Sequence, residues 1–136
     1  MPFWKCYYHI VWATKNREAS ITPAIETVVF QAIQSKSDAL RCPILAMNGV
    51  ADHVHVAVCV KPSLALGDWV GQIKGASSRA VNLAFDGLET KFRWQEDYGV
   101  LTFGERNSAF VLKYIENQKE HHRSGDLQPI FERVGE

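Results

Sequence analysis

A chain of 136 residues is long enough for one domain with its own core, and a composition of 46% hydrophobic and 22% charged residues excludes a low-complexity protein. Fifteen Lys and Arg residues balance fifteen Asp and Glu residues, so any DNA-binding surface must be a local patch. The sequence shows no signal peptide, no apolar run of membrane-spanning length, and no disulfide or zinc pattern among its three cysteines. We therefore expect a single cytoplasmic domain over residues 1–136.

The first half of the chain predicts a strand, a helix and a hairpin. Aromatic and β-branched residues alternate with other side chains over residues 3–14, which is typical of a long strand. A threonine N-cap followed by proline begins a stretch of helical apolar spacing over residues 22–40. Residues 44–50 and 53–60 then predict two strands joined by a tight turn.

The second half predicts a helix over residues 63–83, short strands at 92–94 and 100–103, and a last helix that begins at 107 or 108. A polar tail is expected from about residue 122 to residue 136. Two glycines inside the first of these helices suggest close approach of a neighbour or ligand. The order of elements is that of a ferredoxin-like (RRM-like) α+β fold, in which two helices cover one face of an antiparallel sheet.

Two histidines in the strand at 53–60 are candidate metal ligands. Side chains alternate along a strand, so the valines at 54, 56, 58 and 60 share the core side, and His53 and His55 share the opposite, open face. Two neutral imidazoles two residues apart can converge on one divalent cation. By itself, however, a His-x-His pair is more often two surface histidines in a hairpin.

The last predicted helix offers a phenol and an amide on one face. Tyr114 and Gln118 are four residues apart, so both side chains can face the open side of the sheet. The phenol would then be a nucleophile and the amide oxygen a third metal ligand. The alternative is that Tyr114 is a core aromatic in line with Phe110, since amphipathic helices commonly bury a tyrosine ring.

Four blocks of sequence occur in a specific order, at residues 8–17 (YHIVWATKNR), 51–56 (ADHVHV), 73–79 (IKGASSR) and 114–118 (YIENQ). With them the chain resembles, nearly end to end, the single-tyrosine HUH transposases of the insertion-sequence 200/605 class. The histidine motif of that class falls on His53 and His55. Its tyrosine and the glutamine one turn later fall on Tyr114 and Gln118.

The resemblance implies an enzyme that cleaves and rejoins single-stranded DNA at hairpin-forming transposon ends. It implies that Tyr114, on the C-terminal helix, forms a 5′-phosphotyrosine intermediate, and that His53, His55 and Gln118 hold Mg²⁺ or Mn²⁺. Such a bond to tyrosine conserves the energy needed for rejoining. The resemblance also implies a homodimer in which the tyrosine helix of one subunit faces the metal site of the other.

Several residues outside this centre receive secondary roles. Asp52 is expected to orient a histidine from outside the metal shell, although an Asp at this place is often only a turn residue. His121 and His122 are expected to form a solvated helix end, and the less favoured alternative is that one of them is a metal ligand. The segment Asp97-Tyr98-Gly99 inverts the Gly-Tyr order expected of the family. Candidate contacts to DNA phosphates, which would otherwise be solvated side chains, are Lys15, Arg17, Lys74 and Arg79.

Three alternatives stay open at this point. A ferredoxin-like module can bind single-stranded RNA or DNA on its sheet without catalysis, in which case no metal is needed. A metal-dependent nuclease would cut DNA with water and never become attached to it. A domesticated relative would act on host repeats rather than move an element of its own.

Overall fold

A computed structural model describes residues 3–135 of the chain. Four strands and four α-helices make up the fold, with short 3₁₀ turns at residues 15–17, 105–107 and 129–131. Among these residues, none of the helices is both long and apolar enough for a membrane span. In chain order the elements are β1 (Tyr7–Ala13), α1 (Pro23–Ala39), β2 (Ile44–Val50), β3 (His53–Cys59), α2 (Leu66–Ala84), β4 (Gly99–Phe103), α3 (Ser108–Glu116) and α4 (Gln118–Ser124).

The four strands form one antiparallel sheet in the order β2-β3-β1-β4. This order confirms the ferredoxin-like α+β fold that the sequence predicts. The first strand is shorter than expected, because only residues 7–13 pair along their length with neighbouring strands. The candidate strand at 92–94 is reduced to a single bridge between Thr14 and Trp94.

One face of the sheet packs against α1 and α2 and forms the larger apolar core. Val54, Val56 and Val58 lie on this face, as the alternation predicts, and all are fully buried. Trp12 of β1 meets Trp69 of α2 edge to face, with 6.3 Å between the ring centroids. Burial of this much apolar surface is the main source of stability in a domain of this size.

Local hydrogen bonds and backbone conformation fix the two ends of α1. Among the described residues, no other element packs closely on the two glycines of α2, contrary to the expectation from the sequence. The Thr22 hydroxyl accepts a hydrogen bond from the Ile25 amide and caps α1, and Arg41 ends it in a left-handed conformation with φ 59°. A Cβ at Gly71 or Gly75 would meet no other element within 4 Å among residues 3–135. Close packing of the protein on itself therefore does not explain these glycines.

The opposite face, which the predicted fold leaves for a ligand or an added helix, is covered by the C-terminal helices and by the residues that follow them. Val111 and Ile115 of α3 pack on Ala46 and Ala57 of the sheet, and the ring of Phe131 closes this smaller apolar cluster. The last helix is interrupted at residue 117, so α3 and α4 are separate elements. Residues 123–135 do not extend as a polar tail, because they finish α4 and then fold back over this face.

A candidate metal centre beside a tyrosine

His53 and His55 lie on one face of β3, and each imidazole is fixed by a partner at its Nδ1 atom. The Nδ1–H of His53 donates to Asp52 Oδ1 at 2.6 Å, and His55 Nδ1 lies 2.9 Å from His9 Nε2. Both rings are almost completely buried. An outer partner that fixes tautomer and ring orientation is typical of histidines that bind metals. The two Nε2 atoms are left pointing toward one common place.

That place is occupied by a carboxylate from the C-terminal residues. Glu132 Oε1 lies 3.1 Å from His53 Nε2, 3.3 Å from His55 Nε2 and 3.2 Å from His122 Nε2. The four ligand atoms of these residues all lie within 4.8 Å of one another. Three imidazole nitrogens and a carboxylate oxygen at this separation form a donor set that suits a divalent cation.

The second oxygen of the same carboxylate faces the tyrosine helix. The Tyr114 hydroxyl donates to Glu132 Oε2, and it accepts a hydrogen bond from the Gln128 amide at 3.0 Å. Gln118 Nε2 lies 3.4 Å from the same oxygen, at the limit of a hydrogen bond. One carboxylate therefore contacts both the histidine cluster and the phenol.

The amide oxygen of Gln118 fits the role of a metal ligand. Gln118 is fully buried, and its Oε1 atom accepts no hydrogen bond from any residue that the structure describes. A buried acceptor without a partner costs about 1–3 kcal/mol, so such atoms in native proteins call for an explanation. A cation bound by the neighbouring imidazoles would give this oxygen a partner.

Tyr114 is buried beside the site rather than in the main core. Its side chain is 4% exposed, and its ring stacks on His121 with centroids 4.5 Å apart and meets Phe131 edge to face at 5.0 Å. The centroid of the His55 ring is 6.2 Å away. Phe110, with which Tyr114 would share a core stripe, is 59% exposed. The phenol and the histidines thus meet within a single chain.

The protonation equilibria of the site reflect burial and close charges. Burial raises the pKa of Tyr114 to about 12, and its hydrogen bond to Glu132 adds to the shift. Burial lowers the pKa of His9 to about 3 and also lowers that of His55, although Glu132 partly opposes the latter shift. Burial alone would raise the pKa of Glu132, but hydrogen bonds from His53, His55 and Tyr114 outweigh it and hold the pKa well below its usual range.

Asp52 takes the position expected of an outer acceptor and also meets a basic side chain. The Nε atom of Arg17 lies 3.7 Å from Asp52 Oδ2, on the side away from His53. Asn16 and Arg17 both adopt left-handed conformations, with φ of 56° and 52°, which non-glycine residues rarely do. This bend after β1 brings the guanidinium to the carboxylate that orients a histidine.

The predicted phosphate contacts have different surroundings. The Lys74 ammonium donates to the carbonyls of Gln95 at 2.7 Å, Glu96 at 2.9 Å and Asp97 at 2.9 Å, so all three of its N–H groups are used within the chain. Burial lowers the pKa of Lys74 to about 8, and the two acidic neighbours oppose this shift. These three hydrogen bonds hold residues 95–97 against α2. Lys15 is half-buried, whereas Arg79 is exposed on α2.

Sequence reasoning missed two residues of the cluster, His9 and Glu132, and gave a third, His122, only as a less favoured ligand. His9 belongs to the same alternating strand as Val11, which pairs with His55, so the register of β1 against β3 would have placed it on this face. His122 was expected to be solvated. Glu132 is remote from every motif, and the only sequence signal for its position is the apolar pair just before it, at residues 130 and 131.

Comparisons with known proteins identify the family of the chain. The family model described as "Transposase IS200 like" matches residues 2–118, so the match ends at Gln118. The transposase for insertion sequence element IS200 of Salmonella typhimurium is 30% identical over 131 residues, which is 93% of this chain and 86% of the relative. The ISDra2 transposase TnpA of Deinococcus radiodurans is 28% identical over 117 residues, 83% of this chain and 84% of the relative.

Solved structures show the same fold. The crystal structure of a candidate transposase from Deinococcus radiodurans superposes with a TM-score of 0.71 at 29% identity, over 86% of this chain and 93% of the other. A REP-associated tyrosine transposase bound to a REP hairpin has a TM-score of 0.65 at 14% identity, over 93% of this chain and 76% of the other, which supports the fold alone. The family model covers most of the chain, including both histidines and the tyrosine. The chain therefore belongs to the IS200-like transposase family.

Proposed function

We propose that this transposase cleaves and rejoins single-stranded DNA at hairpin-forming transposon ends, with Tyr114 as nucleophile and a divalent cation, Mg²⁺ or Mn²⁺, held by His53, His55 and Gln118. One observation supports this most directly. The Tyr114 hydroxyl and the Nε2 atoms of both histidines all contact the carboxylate of Glu132, so they surround one small volume. A scissile phosphate bound beside this carboxylate would lie close to the nucleophile and the cation together.

Different residues carry out different parts of the proposed reaction. Asp52 and His9 hold the imidazoles in the orientation in which Nε2 faces the site. The Tyr114 oxygen forms a bond to phosphorus as the bond from phosphorus to the 3′-oxygen breaks, and that oxygen takes up a proton to become a free hydroxyl. A bound cation supplies charge neutralisation at the phosphate. A second 3′-hydroxyl reverses the steps and releases Tyr114 with its proton.

The reaction also requires that the nucleophile lose its proton. The pKa of Tyr114 stands at about 12, so the phenol keeps its proton near neutral pH. Attack on phosphorus therefore needs an acceptor for that proton as the new bond forms. Glu132 orients the phenol by accepting its hydrogen bond. The lowered pKa of Glu132 makes this carboxylate a weak base, so the proton passes to water as the new bond forms.

A DNA partner is supported by a structural neighbour, a REP-associated tyrosine transposase that is bound to a REP hairpin. We propose that Lys15, Arg17 and Arg79 contact phosphates, as single cations that position the backbone. Lys74 is left out because its donors are occupied. The homodimer and the cytoplasmic location likewise stay predictions from the family resemblance.

A denaturing gel tests the reaction. The full chain is mixed with Mn²⁺ and a labelled single-stranded DNA that carries an end hairpin and its flanks, and we expect a labelled covalent adduct. Tyr114→Phe removes the nucleophilic oxygen and should abolish the adduct. Tyr98→Phe is the matched control, since this phenol lies outside the site, near Lys74, and its loss should leave the adduct unchanged. An adduct that persists in Tyr114→Phe, or cutting with no adduct, would contradict the proposal.

A further inference from the structure

We infer that the C-terminal residues complete the cation site, with His122 and Glu132 as ligands beside His53 and His55, so that the centre prefers manganese or another first-row transition metal to magnesium. This rests on the cation requirement of the proposed function. It goes beyond that function because neither residue belongs to the segment that the family model matches, which ends at residue 118.

The distances from the Glu132 carboxylate to the three imidazoles are those expected between ligands of one ion. Two donor atoms that each lie about 2.1 Å from a cation are about 3.0 Å apart at a right angle and about 3.4 Å apart at a tetrahedral angle. The three separations from Glu132 Oε1 to the imidazole nitrogens, 3.1, 3.2 and 3.3 Å, all fall in this interval.

The orientation of the imidazoles is a second argument. His53 Nδ1 lies 2.6 Å from Asp52 Oδ1, and His55 Nδ1 lies 2.9 Å from His9 Nε2. With both Nδ1 atoms engaged in this way, the Nε2 atoms face Glu132 Oε1 at 3.1 and 3.3 Å. A cation between the carboxylate and the two rings would leave these outer contacts intact.

The chemistry of the donors selects the kind of metal. Magnesium prefers an octahedral shell of oxygen ligands and water, whereas imidazole nitrogens suit manganese, zinc and their neighbours. A set of three imidazoles and one carboxylate is dominated by nitrogen. The unpartnered Oε1 atom of Gln118 lies on a residue that contacts the same carboxylate and can add a further oxygen donor.

The carboxylate also joins the cation site to the nucleophile. Oε1 of Glu132 faces the imidazoles, and Oε2 accepts the hydrogen bond of the Tyr114 hydroxyl. In this arrangement Glu132 is a ligand through one oxygen and positions the phenol through the other. The C-terminal residues are held in place around it, because Phe131 packs on His9 and Tyr114 with ring centroids 5.0 Å apart in both cases.

Direct measurement of metal binding tests this inference without reference to catalysis. Calorimetric titration of the metal-free full chain with Mn²⁺ should show one site, and Glu132→Gln should weaken it by about tenfold or more. The amide keeps the size of the side chain and removes its charge. Glu120→Gln makes the same change on the surface of α4, where Glu120 pairs with Arg123, and should bind Mn²⁺ as the parent does. Circular dichroism confirms that both variants are folded.

Two further measurements make the ligand set specific. His122→Gln should also weaken Mn²⁺ binding, and the nitrogen couplings in the electron paramagnetic resonance spectrum of bound Mn²⁺ should decrease in that variant but persist in Glu132→Gln. Mg²⁺ should bind the parent chain about tenfold or more weakly than Mn²⁺ does. Unchanged Mn²⁺ affinity in Glu132→Gln would overturn the inference, as would equal affinity for the two metals. Tighter binding in Glu132→Gln would show instead that the carboxylate competes with the cation.

These results are separable from a failure of the proposed function. Tyr114→Phe retains every proposed ligand, so it should bind Mn²⁺ as the parent does. If the parent binds Mn²⁺ through Glu132 but never forms the DNA adduct, strand transfer by Tyr114 fails and the metal site stands. If the adduct forms with Mn²⁺ but binding does not depend on Glu132 or His122, strand transfer stands and this inference fails.

Discussion

The two faces of the sheet differ in what covers them and in what they bury. The first face packs against two long helices, of 17 and 19 residues, and its core is apolar. The second face is covered by helices of nine and seven residues and by the C-terminal residues. This second face buries three histidines, a tyrosine and a glutamine, in a cluster around one carboxylate.

This difference separates stability from chemistry within one small domain. Apolar burial on the first face supplies most of the stabilisation, whereas buried polar groups on the second cost free energy unless each has a partner. The second face keeps such groups at the candidate site, where the proposed strand transfer would use them. We therefore expect substitutions on the first face to change folding, and substitutions on the second to change metal binding and reaction.

The largest expected effect is on the apolar face. Trp69→Ala removes a fully buried ring and the hydrogen bond from its Nε1 atom to Ser37, so the free energy of unfolding should fall by about 3–5 kcal/mol. Denaturant titration measures this free energy of unfolding. Phe131→Ala on the histidine face should cost clearly less, since Phe131 is only half-buried. Equal losses at the two positions would break the comparison.

The next effect is the response of the histidine face to acid. The pKa of His9 is about 3 in the folded chain and near 6.5 when unfolded, so between these values only the unfolded chain takes up the proton. Stability should therefore fall as the pH drops below about 6.5, with a loss on the order of 3 kcal/mol by pH 4. Denaturant titrations in EDTA at several pH values measure this. His9→Gln lacks the titrating group and should give a flatter curve, and identical slopes would show that His9 is not responsible.

The smallest effect concerns the end of a helix on the apolar face. Arg41 stands at φ 59°, a conformation that costs a non-glycine residue about 1–2 kcal/mol, and it is exposed. Arg41→Gly relieves this cost but loses more chain entropy on folding, so we expect a net gain of about 0.5 kcal/mol. Thermal denaturation would detect it. Mn²⁺ affinity should not change, because α1 contributes nothing to the site, and a change in affinity would show that the two faces are coupled.

Local patterns predicted much of this molecule. The bounds of β2, the order of the elements and the shared face of His53 and His55 follow from alternation and helical spacing, and the spacing of Tyr114 and Gln118 placed both on the same side of the sheet. The rest depends on contacts between residues far apart in sequence. The carboxylate of Glu132 enters the site only because the C-terminal residues fold back, and no local periodicity encodes that return.

The loop contacts of Lys74 show the same limit at a smaller scale. A lysine on an amphipathic helix is expected to be solvated, and nothing near it in sequence indicates that its ammonium meets three carbonyls about twenty residues away. The break in the last helix at residue 117 is similar, since neither glycine nor proline marks it in the sequence. In both cases tertiary contacts determine the structure, because local sequence propensity does not.

At Gly99, the backbone of β4 contacts the backbone of the C-terminal residues. A Cβ at this position of β4 would overlap the carbonyl oxygen of Arg133, next to the residue that enters the site. The terminal residues can cross the sheet here only where the strand has no side chain, which gives a reason for the inverted Tyr98-Gly99 order. Among relatives, glycine at the position of Gly99 and a carboxylate at that of Glu132 should consequently be gained and lost together, as a correlated pair visible in an alignment.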